Sequence, residues 1–246
     1  MTQNNGRSVL LVFKDVYFAL CRVTLLYGIL YVALAVYLGM THDGNIPVWL
    51  YYMLLPIMLF AAVMVGLPGR FRMAVGLGIS RHHLYFGGML GIVTASLTAA
   101  VFDLVLNQVV QLFVKLPGNY HLLYGTFPYF QGLPIQRLPV YGSTLDFIGY
   151  LLFSPFLMAL LYCLACAVGA AFASVYCRLR AYGRVATIVG ETVGAIAAFL
   201  FAAMLIGNYF SGYLYTDMEL IWLIILPFPL LISWFSLRNC PVAKRQ

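Results

Sequence analysis

The chain has 246 residues, of which 63% are hydrophobic and only 9% charged, with mean hydropathy +0.94 and a formal net charge of +7. Soluble domains carry about 45–50% apolar and about 25% charged residues, so this chain uses lipid as its solvent. Soluble catalysis and nucleic-acid binding are excluded, because the positive charge has a topological explanation that follows from its distribution.

Before the first apolar stretch, residues 7–16 read "RSVLLVFKDV". Val9, Leu10, Val12, Phe13 and Val16 fit one helical face, with Arg7, Lys14 and Asp15 on the other. Two readings stand side by side: an amphipathic helix lying at the membrane interface, or a simple extension of the first span. The apolar run behind it is too long for a signal peptide and lacks a small-x-small cleavage site, so it is read as a retained helix.

Crossing the hydrocarbon core takes about 20 apolar residues. Six stretches qualify, at about 17–39, 48–67, 84–105, 147–174, 186–208 and 219–237. The expected fold is an all-α polytopic membrane protein with a single transmembrane domain over 1–246 and both termini on one side. If that side is cytoplasmic, the inner segments hold 12 of the 14 basic residues, and only Lys115 and Arg137 lie outside. Asp43, Asp146, Asp217 and Glu219 then fall outside or at the outer rim. That asymmetry is the positive-inside pattern.

The connection after the second span reads "GLPGRFRMAVGLGISRHHLYFGG". Pro68 and Gly69 are expected to stop the span, for steric reasons and because Gly tolerates a helix end. Arg70 to Leu77 then form about two turns of a short cytoplasmic helix, with Phe71 facing Val75 and Met73 facing Leu77. Gly76 and Gly78 break it, and Ser80 is a natural N-cap for the third span. A basic loop that does no more than fix orientation would have the same composition.

The third span carries Asp103, Asn107, Gln111 and Lys115 at every fourth position. This stripe either lines an exit route for a substrate or is the wet side of a helix that has left the membrane. The external segment 106–146 is broken by Pro117, Pro128, Pro134 and Pro139 and rich in Tyr and Phe, which suits a cap over the outer helix ends. Cys163 and Cys166 form a C-x-x-C inside an apolar run, where they read as small packing residues with reduced thiols, and not as a metal or redox motif. Glu191 in the fifth span is two turns from Arg184 on the same face, so it is either a rim ion pair or an intramembrane functional group. Gly190 and Gly194 around it make a G-x-x-x-G.

The stretch "MAVGLGISRHHLYFGGML" resembles the segment after the second span in the type-2 family of ABC exporter permeases. There a pattern close to A-h-x-h-G-h-[ST]-R-x-x-h-h-h-G recurs, h being apolar. Ala74, Gly78, Ile79, Ser80, Arg81, Leu84, Tyr85, Phe86 and Gly87 occupy those places here. Separate-chain permeases of that family have about this length, six spans and both ends inside. The resemblance implies a coupling helix that docks on a separate ATP-binding-cassette ATPase. Phe71, Met73, Val75 and Leu77 would be its apolar anchors, Arg70, Arg72 and Arg81 its rim contacts, and Ser80 its cap. One departure is that the long external segment lies between spans three and four, whereas family members often carry large external elements between spans five and six.

No G-x-x-x-x-G-K-[ST] loop occurs, so no ATPase site of the P-loop kind belongs to this chain. ATP and Mg would sit on the partner ATPase, and a second permease, most simply an identical copy, would complete the assembly in a bacterial cytoplasmic membrane. The substrate class that suits mostly apolar spans is an amphipathic or hydrophobic peptide, lipid or drug, with Asp103, Asn107, Gln111 and Glu191 as path residues. A non-transporting sensor or assembly factor, or an intramembrane enzyme, are the alternatives. No metal role is expected for His82 and His83, which have no carboxylate nearby in sequence.

Overall fold

The structure, a computed structural model, describes residues 2–41, 48–113, 144–179, 192 and 225–238. Among these the chain is all-helical: α1 Thr2–Thr41, α2 Val48–Gly76, α3 Arg81–Phe113, α4 Thr144–Leu179 and α5 Pro227–Arg238. Three stretches, Leu54–Gly76, Arg81–Leu106 and Met158–Leu179, are long and apolar enough to cross a membrane. Large apolar side chains also point away from the bundle, among them Phe18 and Ile29 on α1, Val65 on α2 (80% exposed), and Leu90 and Leu97 on α3. On a soluble protein such a surface would drive association; in a bilayer it is the solvated surface.

The expected stretches 17–39, 48–67, 84–105 and 147–174 lie within α1 to α4, and α5 covers the end of 219–237. Stretch 186–208, apart from residue 192, and external segment residues 114–143 lie outside the described residues.

Of the two readings of residues 7–16, the structure shows the extension and not a separate interfacial helix: they are the early turns of the 40-residue α1. Val12 and Val16 are buried against the bundle, which takes their apolar face away from any lipid interface. Against expectation, Pro68 and Gly69 do not end α2; the helix runs through both to Gly76. Proline removes one N–H bond, but ending a helix beside hydrocarbon leaves several backbone groups without partners, so continuing costs less. Phe71 and Ala74, both buried, hold these last turns to the bundle.

The end of α2 is a Schellman motif. Gly78 N–H donates to the Val75 carbonyl and Ile79 N–H to the Ala74 carbonyl, each at 3.0 Å, and Gly78 takes φ +75°. Ser80 then caps α3: the His83 N–H donates to its Oγ at 3.3 Å, and the Leu84 N–H to its carbonyl at 3.0 Å. Both signals are local chemistry, and both act where the sequence places them.

Helix association in lipid gains little from the hydrophobic effect and relies on close backbone approach. The most extensive contact, α1 against α3, is of that kind. A Cβ on Gly87 would sit 2.7 Å from the Val9 carbonyl oxygen, and one on Gly91 would sit 3.0 Å from Val16. A Cβ on Gly28 would meet the Phe102 ring at 2.8 Å. Between α2 and α4, a Cβ on Gly169 would lie 2.7 Å from the Phe60 carbonyl oxygen. Gly87 and Gly91 are themselves a G-x-x-x-G, a motif the sequence reading marked only at Gly190 and Gly194, which lie outside the described residues.

The contacts also give the helix directions. Val9 meets Gly87, Val16 meets Gly91 and Gly28 meets Phe102, so α1 and α3 are parallel. Asp15 pairs with Arg70, so α1 and α2 are antiparallel. Tyr85 reaches Leu230 and His82 packs on Trp234, so α5 runs against α3. Asp103 meets Tyr162 and Ser96 lies against Cys166, so α4 does too. One end of the bundle therefore holds the start of α1 and α3 and the close of α2, α4 and α5.

Candidate functional site

That end is the basic end. It gathers Arg7 and Lys14 of α1, Arg70 and Arg72 of α2, Arg81 of α3, Arg178 of α4 and Arg238 of α5. Arg70 Nε meets Asp15 Oδ2 at 3.0 Å, tying the last turns of α2 to α1. The Arg81 guanidinium donates to the Arg238 carbonyl, satisfying a C-terminal carbonyl of α5. His82, Tyr85 and Phe86 of α3 surround Trp234 of α5, with centroid separations of 4.6, 4.9 and 6.4 Å, and Tyr85 donates its hydroxyl to the Leu230 carbonyl at 3.1 Å. An apolar cleft lies between α1, the end of α2 and the start of α3, lined by Leu11, Val12, Met73, Leu77, Ile79 and Leu84 among others, with Asp15 and Arg70 also in its wall.

The eight residues expected to face an ATPase divide sharply. Phe71 is 5% exposed, with its ring packed in the bundle, and Val75 packs partly buried against the core. They hold the helix end in place; they do not form its outer face. Arg70 and Arg81 are engaged within the chain and Ser80 is a helix cap. Met73, at 53%, and Leu77, at 64%, are exposed, as is Arg72. The outward face of this element is therefore Arg72, Met73 and Leu77, borne on two helical turns continuous with α2.

The second site lies toward the other end. Asp103 is 4% exposed, inside the stretch of α3 that is long and apolar enough to cross a membrane. Tyr27 of α1 donates its hydroxyl to Asp103 Oδ1 at 2.9 Å, and Tyr162 of α4 donates to Oδ2 at 2.8 Å. Tyr27 and Tyr162 are among the most fully buried side chains described, and buried phenols need a hydrogen-bond partner. Asp103 is a buried acceptor that ties three helices. Asn107 and Gln111 follow it on the same helical stripe, with side chains outside the described residues, as is all of Glu191.

Sequence reasoning missed both tyrosines and Asp15. The available signal was that Asp103 is an acid inside an apolar span, which must find donors from neighbouring helices. Cys163 and Cys166 are buried, free thiols within α4, and no group of three or more metal-ligating side chains occurs among the described residues. No family model matches the chain, and neither a curated protein nor a solved structure matches it.

Proposed function

We propose that this chain is the permease subunit of an ATP-driven ABC exporter, working as a dimer with two separate ATPase subunits and moving an amphipathic or hydrophobic molecule by alternating access. In this reading six spans cross a bacterial cytoplasmic membrane and both termini are cytoplasmic. The observation that carries it is the basic end. A short exposed element, Arg72, Met73 and Leu77, projects where the arginines of five helices converge, on a helix end that is braced and not floppy. A rigid element of that kind takes a push from a partner and passes it to whole helices. The positive-inside rule puts this end in the cytoplasm, where ATP is.

The helix directions support the finer topology. The parallel run of α1 and α3 suits spans one and three of a regular serpentine. α4 and α5 both run toward the basic end, as the fourth and sixth spans of such a serpentine would. The resemblance around Ser80 and Arg81 supports the family, and the family supplies the partner: an ATP-binding-cassette ATPase with ATP and Mg.

The test is co-purification from native membranes with an ATP-binding-cassette ATPase encoded beside this chain. Recovery with the wild type and its loss in Arg72→Glu/Leu77→Glu, with the helical content unchanged, is the expected result. No such ATPase in the genome neighbourhood, or equal recovery with the double variant, would contradict the reading.

A further inference from the structure

One exposed face of α1 alternates charge and hydrocarbon. Arg7, Leu11, Lys14, Phe18, Arg22 and Leu25 recur at three- or four-residue spacing, which places them on one side of the helix, and all of them are exposed. Val12, Val16, Leu20 and Tyr27, on the opposite side, are buried in the bundle. The stripe runs for about 27 Å at about 1.5 Å per residue.

Charge accounting shows what this face is short of. α1, α2 and α3 as far as Phe102 carry six basic residues, Arg7, Lys14, Arg22, Arg70, Arg72 and Arg81, and one acid, Asp15. Asp15 is engaged by Arg70 at 3.0 Å, so these helices offer Lys14 and Arg22 no carboxylate of their own. A freely soluble anion would suit cations that stand in water. These stand between Leu11, Phe18 and Leu25, and Arg22 is seven residues beyond Asp15, about 10 Å farther from the basic end. Helical side chains lean toward the N-terminus, so Arg22 leans back toward Lys14, the direction in which a long basic side chain snorkels. A ligand for this face has to bring an anion and hydrocarbon together.

We propose that this face of α1 binds an anionic diacyl phospholipid, with the phosphate between Lys14 and Arg22 and the acyl chains running along Phe18 and Leu25, away from the basic end. Basic residues beside a membrane surface attract anionic lipids, and the apolar residues between them hold the chains. Arg70 acts at one remove: by holding Asp15 it keeps a carboxylate away from the phosphate. A second copy of this chain suits the face poorly, because a two-fold contact through it sets Lys14 and Arg22 against their own counterparts at the same depth. The inference goes beyond the transport reading and does not rest on it, since neither ATPase nor cargo takes part.

The experiment extracts the full chain from vesicles that hold phosphatidylglycerol and phosphatidylcholine with the same acyl chains, and native mass spectrometry reads which lipid stays bound. Phosphatidylglycerol is expected to be retained over phosphatidylcholine by about tenfold or more, and Lys14→Gln/Arg22→Gln to lower that preference by about tenfold or more, at about fivefold per basic residue. Arg178→Gln/Arg238→Gln removes the same charge from the ends of α4 and α5 and should change the preference by about twofold or less. Arg70→Gln, which releases the Asp15 carboxylate, should lower the preference, and adding Asp15→Asn should restore it. Circular dichroism checks that each variant keeps its helical content, and the Arg70 and Asp15 variants test the site independently of the first pair. Equal loss in the Lys14/Arg22 and Arg178/Arg238 variants overturns the site, as does a wild type without the preference. Displacement of the lipid by inorganic phosphate would make a soluble anion the ligand, and a lipid-free dimer dissociated by Lys14→Gln/Arg22→Gln would assign the face to a second copy; either result overturns the proposal. Loss of ATPase association with the lipid preference intact would count against the transport reading alone.

Discussion

Asp103 and Tyr162 meet at 2.8 Å across the seam of α3 and α4, both almost fully buried in helices that are otherwise apolar at that depth. A carboxylate inside a membrane span is expensive, and it persists where it holds other groups in place or has a task. Here it satisfies two phenols at once. Asp103→Ala should therefore remove the acceptor of both Tyr27 and Tyr162 and cost about 2–6 kcal/mol, at about 1–3 kcal/mol per buried group that loses its partner. Asp103→Asn keeps one acceptor oxygen and should cost about half as much. Reversible unfolding of the purified chain in mixed micelles measures both; equal and negligible costs would mean that the two hydrogen bonds do not hold the bundle.

Glycine contacts make a sharper prediction, because neighbouring glycines differ so much. Gly87→Ala and Gly169→Ala place a methyl 2.7 Å from a carbonyl oxygen of the facing helix, so the helices must separate, at about 1–3 kcal/mol. Gly69→Ala and Gly88→Ala meet nothing within 4 Å. They should be neutral or stabilise the chain by up to about 1 kcal/mol through helix propensity. The same unfolding assay ranks the four, and a destabilising Gly69→Ala would show that α2 is not helical through that point.

The turn between α2 and α3 depends on Gly78 alone for its left-handed residue, at φ +75°. Gly78→Ala should cost about 1–2 kcal/mol. Gly76→Ala, two residues earlier in ordinary helical conformation and open space, should not. Because the Schellman bonds set the angle at which Leu77 leaves the bundle, Gly78→Ala should also weaken ATPase association more than its loss of stability alone accounts for. Binding measured against unfolding for the pair Gly76→Ala and Gly78→Ala separates the two effects.

Much of the architecture is legible in the sequence, because apolar runs of membrane length and clustered arginines are one-dimensional signals. Ser80 and Gly78 are legible too, since a cap and a left-handed residue are decided within four residues. The stop at Pro68 and Gly69 was misread because those residues break helices in water, whereas beside lipid the unsatisfied backbone of a broken helix costs more than one missing N–H. What Asp103 faces was not legible. The stripe of Asp103, Asn107, Gln111 and Lys115 marks one side of the helix but not what that side meets, which depends on where Gly87 and Gly91 seat α3 against α1. Phe71 illustrates the same limit: on an isolated two-turn helix it would be an exposed anchor, but on a helix continuous with α2 it turns into the bundle.

The central claim is that Arg72, Met73 and Leu77 form a cytoplasmic face that an ATPase grips. The most direct measurement is impermeant-maleimide labelling of Leu77→Cys, with the five native cysteines replaced by Ser, in sealed vesicles of each orientation, with and without the neighbouring ATPase. The account predicts labelling only when the cytoplasmic side faces out, and at least about tenfold protection when the ATPase is bound. Labelling from the external side, or the same rate with and without the ATPase, would contradict it.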